Sequence, residues 1–298
     1  MIIVGALLAV VSLGVAAAAE QTDIAIGDPA LFGWLAIFGA ALFVAGLLYV
    51  AIRQLRVRRH LPPGRYRGPA IPLLLVLVFV LASIATAPFA RDAAALVLGQ
   101  GKLTFFGSIV ILMATQSALL LVSWFLVFRP GALQALPSLP GRNAGAALLQ
   151  GVGWGVVAWI VSSMIAVGVE LALRQAGLEM EPQAAEQAIS VVEPWVVVLA
   201  IVVLAPIAEE IFFRGIVFNA WLRERGRRWA FIGSAALFAI IHVSLVALLP
   251  IFVLGLGLAW IYSRTGNLLA PIAMHATVNG ISVILALLVR FEVITLPV

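Results

Sequence analysis

The chain has 298 residues, of which 64% are hydrophobic and only 10% charged. Soluble domains carry about 25% charged residues, so composition alone excludes a water-soluble globule. The net charge is +5 and there is no cysteine, which excludes disulfides and thiolate metal sites.

A bilayer-spanning helix needs about 20 consecutive apolar residues. Runs near that length occupy 1–19, 32–52, 70–89, 103–128, 144–173, 195–218, 228–243, 246–263 and 267–290. They predict an all-α fold, a polytopic transmembrane helical bundle of eight to nine spans in the cell membrane. The first run ends in alanines 16–19, as a cleaved signal peptide would, but it lacks a basic start. An uncleaved span is therefore expected.

Arginines then set the orientation. Arg53, Arg56, Arg58, Arg59, Arg65 and Arg67 crowd the loop after the second run. Arg129 and Arg142 flank a second basic loop, Arg223, Arg225, Arg227 and Arg228 fill a third, and Arg264 marks a fourth. Nine spans place all four loops on one face, the cytoplasmic one by the positive-inside rule. The other face receives Glu20, Asp23, Asp28, Asp92, Glu179, Glu181, Glu186, Glu193 and Glu292, its basic residues being mainly Arg91, Lys102 and Arg174. The basic excess thus follows membrane orientation, and the partners expected are the lipid bilayer and no nucleic acid. Gly151 and Gly155 in the fifth run have GxxxG spacing, which lets helices pack closely. An acidic, proline-bearing stretch at 175–194 divides the chain. Residues 1–190 form an N-terminal transmembrane region to which no role is assigned, and 191–298 form a C-terminal core.

That core holds polar groups inside apolar spans, where a charged side chain costs at least about 2.5–3.5 kcal/mol and so marks function. Glu209 and Glu210 lie in one run with Arg214 four residues on, His242 in the next, and His275 with Asn279 in the last. Straight helices rising about 1.5 Å per residue put Glu209 about 21 Å from Arg223, His242 about 21 Å from Arg228, and His275 and Asn279 about 17 and 22 Å from Arg264. Three spans therefore bring polar side chains to nearly one depth. Glu210 and Arg214 are i, i+4 neighbours that can pair, whereas Glu209 points about 100° away and can serve a cavity. Phe238 shares a face with His242, as His275 does with Asn279. A glutamate, two histidines and an asparagine at one level make a general base with hydrogen-bond donors. A structural polar network tying three helices is the alternative.

EExxxR (Glu209, Glu210, Arg214), FxxxH (Phe238, His242) and HxxxN (His275, Asn279), in that order on successive spans, resemble the CPBP family. These are the type II CAAX prenyl endopeptidases and their bacterial relatives, including bacteriocin-processing and immunity proteins. The resemblance covers about 195–290. It implies intramembrane hydrolysis of a peptide bond in a membrane-associated or prenylated peptide or protein substrate. Glu209 would activate water with help from His242. His275 and Asn279 would stabilise the oxyanion, and Glu210, Arg214 and Phe238 would hold the site's shape. The family has also been described as metalloproteases, and Glu209, His242 and His275 resemble a His₂Glu zinc set. No HExxH is present, and with Glu209 as ligand no second carboxylate is aimed to act as base. No cofactor is therefore firmly expected, with zinc kept as the second reading. Two other classes share buried Glu and His. An ion-coupled transporter predicts inverted repeats with polar sites in both halves, and the polar sites here lie in one half. A non-catalytic scaffold or immunity protein of the same fold predicts function that survives loss of Glu209.

Overall fold

In hydrocarbon no water is available to bond backbone N–H and C=O groups, so long apolar runs must close their hydrogen bonds internally as helices. The computed structural model, which describes residues 2–8, 29–89, 104–133, 143–177, 184–242 and 244–294, has helices and no strand among those residues. They are α1 Pro29–Arg58, α2 Ile71–Thr86 with a 3₁₀ turn at Ala87–Phe89, α3 Phe105–Phe128, α4 Ala144–Gln175, α5 Ala184–Val191, α6 Pro194–Arg225, α7 Arg227–Ile240, α8 Leu245–Thr265 and α9 Leu269–Arg290. Seven of them, α1 to α4, α6, α8 and α9, are long and apolar enough to cross a membrane. The protein is a multi-pass integral membrane protein.

The apolar run at 228–243 does not become a full span. Its helix, α7, has 14 residues, about 21 Å at 1.5 Å per residue, against a hydrocarbon core of about 30 Å. His242 lies in the turn that follows, not in a span. Ser244 then caps α8, accepting the Ala247 N–H at 3.3 Å, and the chain runs back across. The first apolar run lies outside the described residues except for 2–8, as do the charged residues at 20–28, Arg91, Asp92, Lys102, Arg142, Glu179 and Glu181.

Arginines tie neighbouring segments together at both ends of the bundle. At one end Arg58 pairs with Glu224 at 3.2 Å and Arg65 donates to the Arg223 carbonyl at 3.3 Å, joining the α1–α2 loop to the end of α6. At the other end Arg290 donates to the Ile189 and Val192 carbonyls at 2.8 and 2.6 Å. These are carbonyls that the C-terminus of α5 leaves without helical partners.

One apolar core runs through both halves of the chain. It joins Leu47, Leu74, Leu119 and Val127 to Phe212, Ile216, Phe238, Leu258 and Met274. The seam between halves is the GxxxG pair. A Cβ at Gly151 would lie 2.6 Å from Ala273 Cβ, and one at Gly155 would lie 2.6 Å from Thr277 Cβ. The missing side chains let α4 touch the α9 backbone. Leu149, Met164 and Leu171 on the outer side of α4 are exposed, as a lipid-facing belt requires.

Candidate active site

The site starts from a proline. Pro206 has no N–H, and α6 winds as a π-helix over Val198–Leu204, with the Ala205 N–H reaching five residues back to Ala200. The Ile201 carbonyl is left with neither Ala205 nor Pro206 as donor. Asn279 on α9 supplies the missing bond, its Nδ2 donating to Ile201 at 2.8 Å. A second π-helical stretch, Ile211–Phe218, follows Glu209 and Glu210. Asn219 satisfies a carbonyl there as well, donating to Arg214 O at 2.8 Å and to the Tyr262 hydroxyl at 2.7 Å. The two carboxylates therefore sit on a short α-helical segment pinned at both ends by side-chain amides.

Glu210 is fully buried, and its Oε1 accepts from Arg214 Nη1 and from His275 Nδ1, each at 3.0 Å. Arg214 is fully buried too and gives its other arm to the Gly255 carbonyl at 3.0 Å. Gly255 is where α8 meets α7 closely, a Cβ there lying 3.1 Å from Ala235. Phe238 is the hub of the cluster. The Arg214 guanidinium lies 4.7 Å over its ring, and the rings of Phe213, His242 and His275 meet it edge-on at 5.1, 4.9 and 5.6 Å.

The histidine tautomers follow from these partners. His242 Nδ1 lies 2.7 Å from the Phe238 carbonyl. A carbonyl only accepts, so Nδ1 carries the proton and the neutral ring presents Nε2 as a lone pair. The Glu210 carboxylate likewise makes His275 Nδ1 a donor, and His275 Nε2 faces Glu209 Oε2 at 4.0 Å. Glu209 Oε2 has no hydrogen-bond partner among the described residues.

Glu209, His242, His275 and Asn279 line one cavity of about 380 Å³, with Phe238 in its wall. Glu210 and Arg214 stand behind that wall. The structure thus brings the seven motif residues together. It also adds residues that sequence reasoning missed, since Gln116 of α3 and Trp159, Ser162 and Ser163 of α4 line the same cavity.

Comparison with known proteins agrees with the motifs. Residues 191–281 match the family described as type II CAAX prenyl endopeptidase Rce1-like. The chain is 33% identical over 138 residues to YdiL of Bacillus subtilis, a candidate membrane peptidase by its name. That stretch is 45% of this chain and 56% of YdiL. It is also 30% identical over 229 residues to an uncharacterized 24.3 kDa protein of Escherichia coli, covering 72% of this chain and 97% of that relative. The chain belongs to the Rce1-like family. A shorter stretch of 78 residues is 32% identical to the UPF0177 protein YxdF of Lactococcus lactis, covering 26% of this chain and 42% of YxdF. The chain thus spans about half the length of YdiL and YxdF, the two relatives that carry names. No solved structure matches it.

Zinc places a geometric demand on the Rce1-like cavity. Tetrahedral ligands at about 2.0–2.2 Å from the ion lie about 3.3 Å from one another. Glu209 Oε2 and His275 Nε2 are 4.0 Å apart, and among the described residues no three His, Asp or Glu side chains gather as a metal site. The donor set as it stands does not fit the ion.

Proposed function

We propose that this protein is an intramembrane endopeptidase that hydrolyses a peptide bond of a membrane-embedded substrate with a glutamate-activated water. The observation that carries the proposal is Glu209, a carboxylate with an unbonded buried oxygen in a cavity that His242 and His275 also line, His275 Nε2 at 4.0 Å from it.

A water between Glu209 and the histidines loses its proton to the Glu209 carboxylate as its oxygen attacks the scissile carbonyl. His242 Nε2, free to accept, holds the water's second hydrogen. The tetrahedral oxyanion needs donors. Asn279 has two amide N–H groups, one held by Ile201, and the other faces this task. His275, its Nδ1 held by the Glu210 carboxylate at 3.0 Å as a buried acid orients the histidine of a serine-protease triad, would donate to the oxyanion through Nε2 when that nitrogen too carries a proton. Glu209 then returns its proton to the leaving amine. Glu210, Arg214 and Phe238 position these groups and touch no reacting atom. The substrate class that the family name suggests is a prenylated CAAX terminus. The apolar, membrane-depth cavity suits any peptide delivered from the bilayer.

Purified protein in lipid nanodiscs, incubated with a panel of membrane peptides and prenylated CAAX peptides, tests this by mass spectrometry of the products. Cleavage by the wild type and none by Glu209→Gln, at equal thermal stability, is expected. Equal cleavage by Glu209→Gln would remove the proposed base, and equal rates with and without the prenyl group would remove the CAAX specificity.

A further inference from the structure

Gln116 stands midway along α3, a 24-residue apolar span. Ser162 stands in the middle of α4. Both residues lie outside the 191–281 segment that matches the family, yet both line the cavity with Glu209 and His275. Gln116 Oε1 and Ser162 Oγ are buried and have no hydrogen-bond partner among the described residues.

Two comparisons within the chain show that this is not routine. A serine or threonine in a membrane helix usually bonds the carbonyl three or four residues back. Ser108, Ser123, Ser263, Thr265 and Thr277 do so here, at 2.6 to 2.9 Å. Ser162 does not, although its helix offers the same carbonyls. The other two polar amides near the site, Asn219 and Asn279, are bonded to carbonyls that α6 leaves open. Gln116 has no such carbonyl to serve. A polar residue in an apolar span whose own helix and neighbours leave it without a partner marks a place for a ligand, and these two stand in the cavity that holds Glu209.

The chemistry of the pair selects the ligand. Both side chains are neutral, so a charged head group is not matched. An apolar chain would leave both unpaired. A carboxamide carries an acceptor and donors at the spacing of a peptide group, and a serine hydroxyl both gives and takes. Such a pair suits a peptide main chain whose own N–H and C=O groups are free. A helical substrate has those groups closed within itself, and only an unwound, extended stretch presents them.

We infer that Gln116 and Ser162 form a main-chain clamp, a substrate-binding subsite supplied by α3 and α4, which selects an unwound segment and holds it beside Glu209. The inference rests on the peptidase reading above and names how that site binds its substrate. It also gives the N-terminal helices a task in the reaction.

The test uses Gln116→Leu and Ser162→Ala in full-length protein in nanodiscs. The probe is a peptide that the wild type cleaves. Failing cleavage, it is a Leu/Ala-rich peptide of about 25 residues with a central Gly-Pro break. Each variant should raise KM about tenfold or more and change kcat less than about threefold. Thermal stability should stay level or rise, because a buried unpaired group is removed in each. A residue with a structural role would lower it. A probe with one amide N–H near the cut replaced by ester oxygen should bind the wild type more weakly and Gln116→Leu no more weakly than the parent peptide. Binding is also read in a Glu209→Gln background by fluorescence titration. If nothing is cleaved but Gln116→Leu still weakens that binding, the peptidase reading falls and the clamp stands. Cleavage with an unchanged KM, a lowered melting temperature, or an ester probe that discriminates equally in both proteins would overturn the clamp.

Discussion

His275 Nδ1 and Glu210 Oε1 lie 3.0 Å apart, and the same oxygen receives Arg214 at 3.0 Å. Glu210 is therefore the junction between a fixed cation and a histidine of the cavity wall. A paired helix charge would need only Arg214. In the mechanism proposed above, the added bond to His275 makes Glu210 a positioning residue.

Glu210→Gln should accordingly differ from Glu209→Gln. Breaking a buried ion pair by removing one partner costs about 3–5 kcal/mol, because the other charge is left uncompensated. Glu209→Gln removes no ion pair to Arg214 and should melt near the wild type while losing hydrolysis. Glu210→Gln should melt well below both and also lose rate, since an amide oxygen can still accept from His275 but brings no charge to it. Thermal unfolding in detergent beside rate measurements on the two variants decides this. Equal melting temperatures would refute the ion-pair argument.

Asn279 and Pro206 should be energetically coupled. Asn279 bonds the Ile201 carbonyl that Pro206 cannot reach, so Asn279→Ala strands a buried acceptor at a cost of about 1–3 kcal/mol. Pro206→Ala restores a backbone N–H five residues after Ile201. In that background the loss of Asn279 should cost measurably less. A double-mutant cycle on thermal stability reads the difference as an interaction energy. Strict additivity would mean that the amide does not serve that carbonyl.

The glycines of α4 give a contrast within a single turn. Gly151 and Gly155 face α9, whereas a Cβ at Gly153 would meet nothing within 4 Å. Gly151→Val should push α4 off α9, lowering stability and opening the cavity wall that carries Trp159 and Ser162. Gly153→Val should be tolerated. Size-exclusion profiles and melting temperatures of the two variants report the outcome, and equal behaviour would show that the seam is not where the packing places it.

The candidate site was legible in the sequence because its residues are chemically loud. Glu209, Glu210, Arg214, His242 and His275 are costly in an apolar span and stand out by hydropathy alone. Their common depth needed only the helical rise. Other features were silent for physical reasons. Ile241 and Val243 flank His242 and carry the apolar run to 243, so hydropathy reads a span where the helix stops at Ile240. The Asn279 bond depends on a carbonyl opened by a π-helical turn, and no residue pattern announces which carbonyl that is. Gln116 and Ser162 are neutral, cost little on a hydropathy scale, and sit in spans that look empty until α3 and α4 fold against the core.

The two histidines should respond differently to substitution, and this separates the glutamate-water mechanism from a metal one. His242 is held by a backbone carbonyl at 2.7 Å and His275 by the Glu210 carboxylate at 3.0 Å. In the mechanism proposed, His242 steadies the water and His275 meets the oxyanion, so each substitution lowers kcat more than it weakens binding. Loss of one oxyanion donor costs on the order of 10²–10³ in kcat, which sets the expectation for His275→Ala. Removing the carboxylate charge from His275 by Glu210→Gln should reproduce part of that loss, whereas His242→Ala should be insensitive to the state of Glu210. As equivalent zinc ligands, the two histidines would behave alike, either substitution would empty the site, and chelators would inactivate. Elemental analysis of active protein, before and after chelation, is the direct measurement. Activity that survives chelation is expected. One equivalent of zinc, lost together with activity and restored by adding the ion back, would transfer Glu209, His242 and His275 from acid–base roles to a ligand set that closes up around the metal.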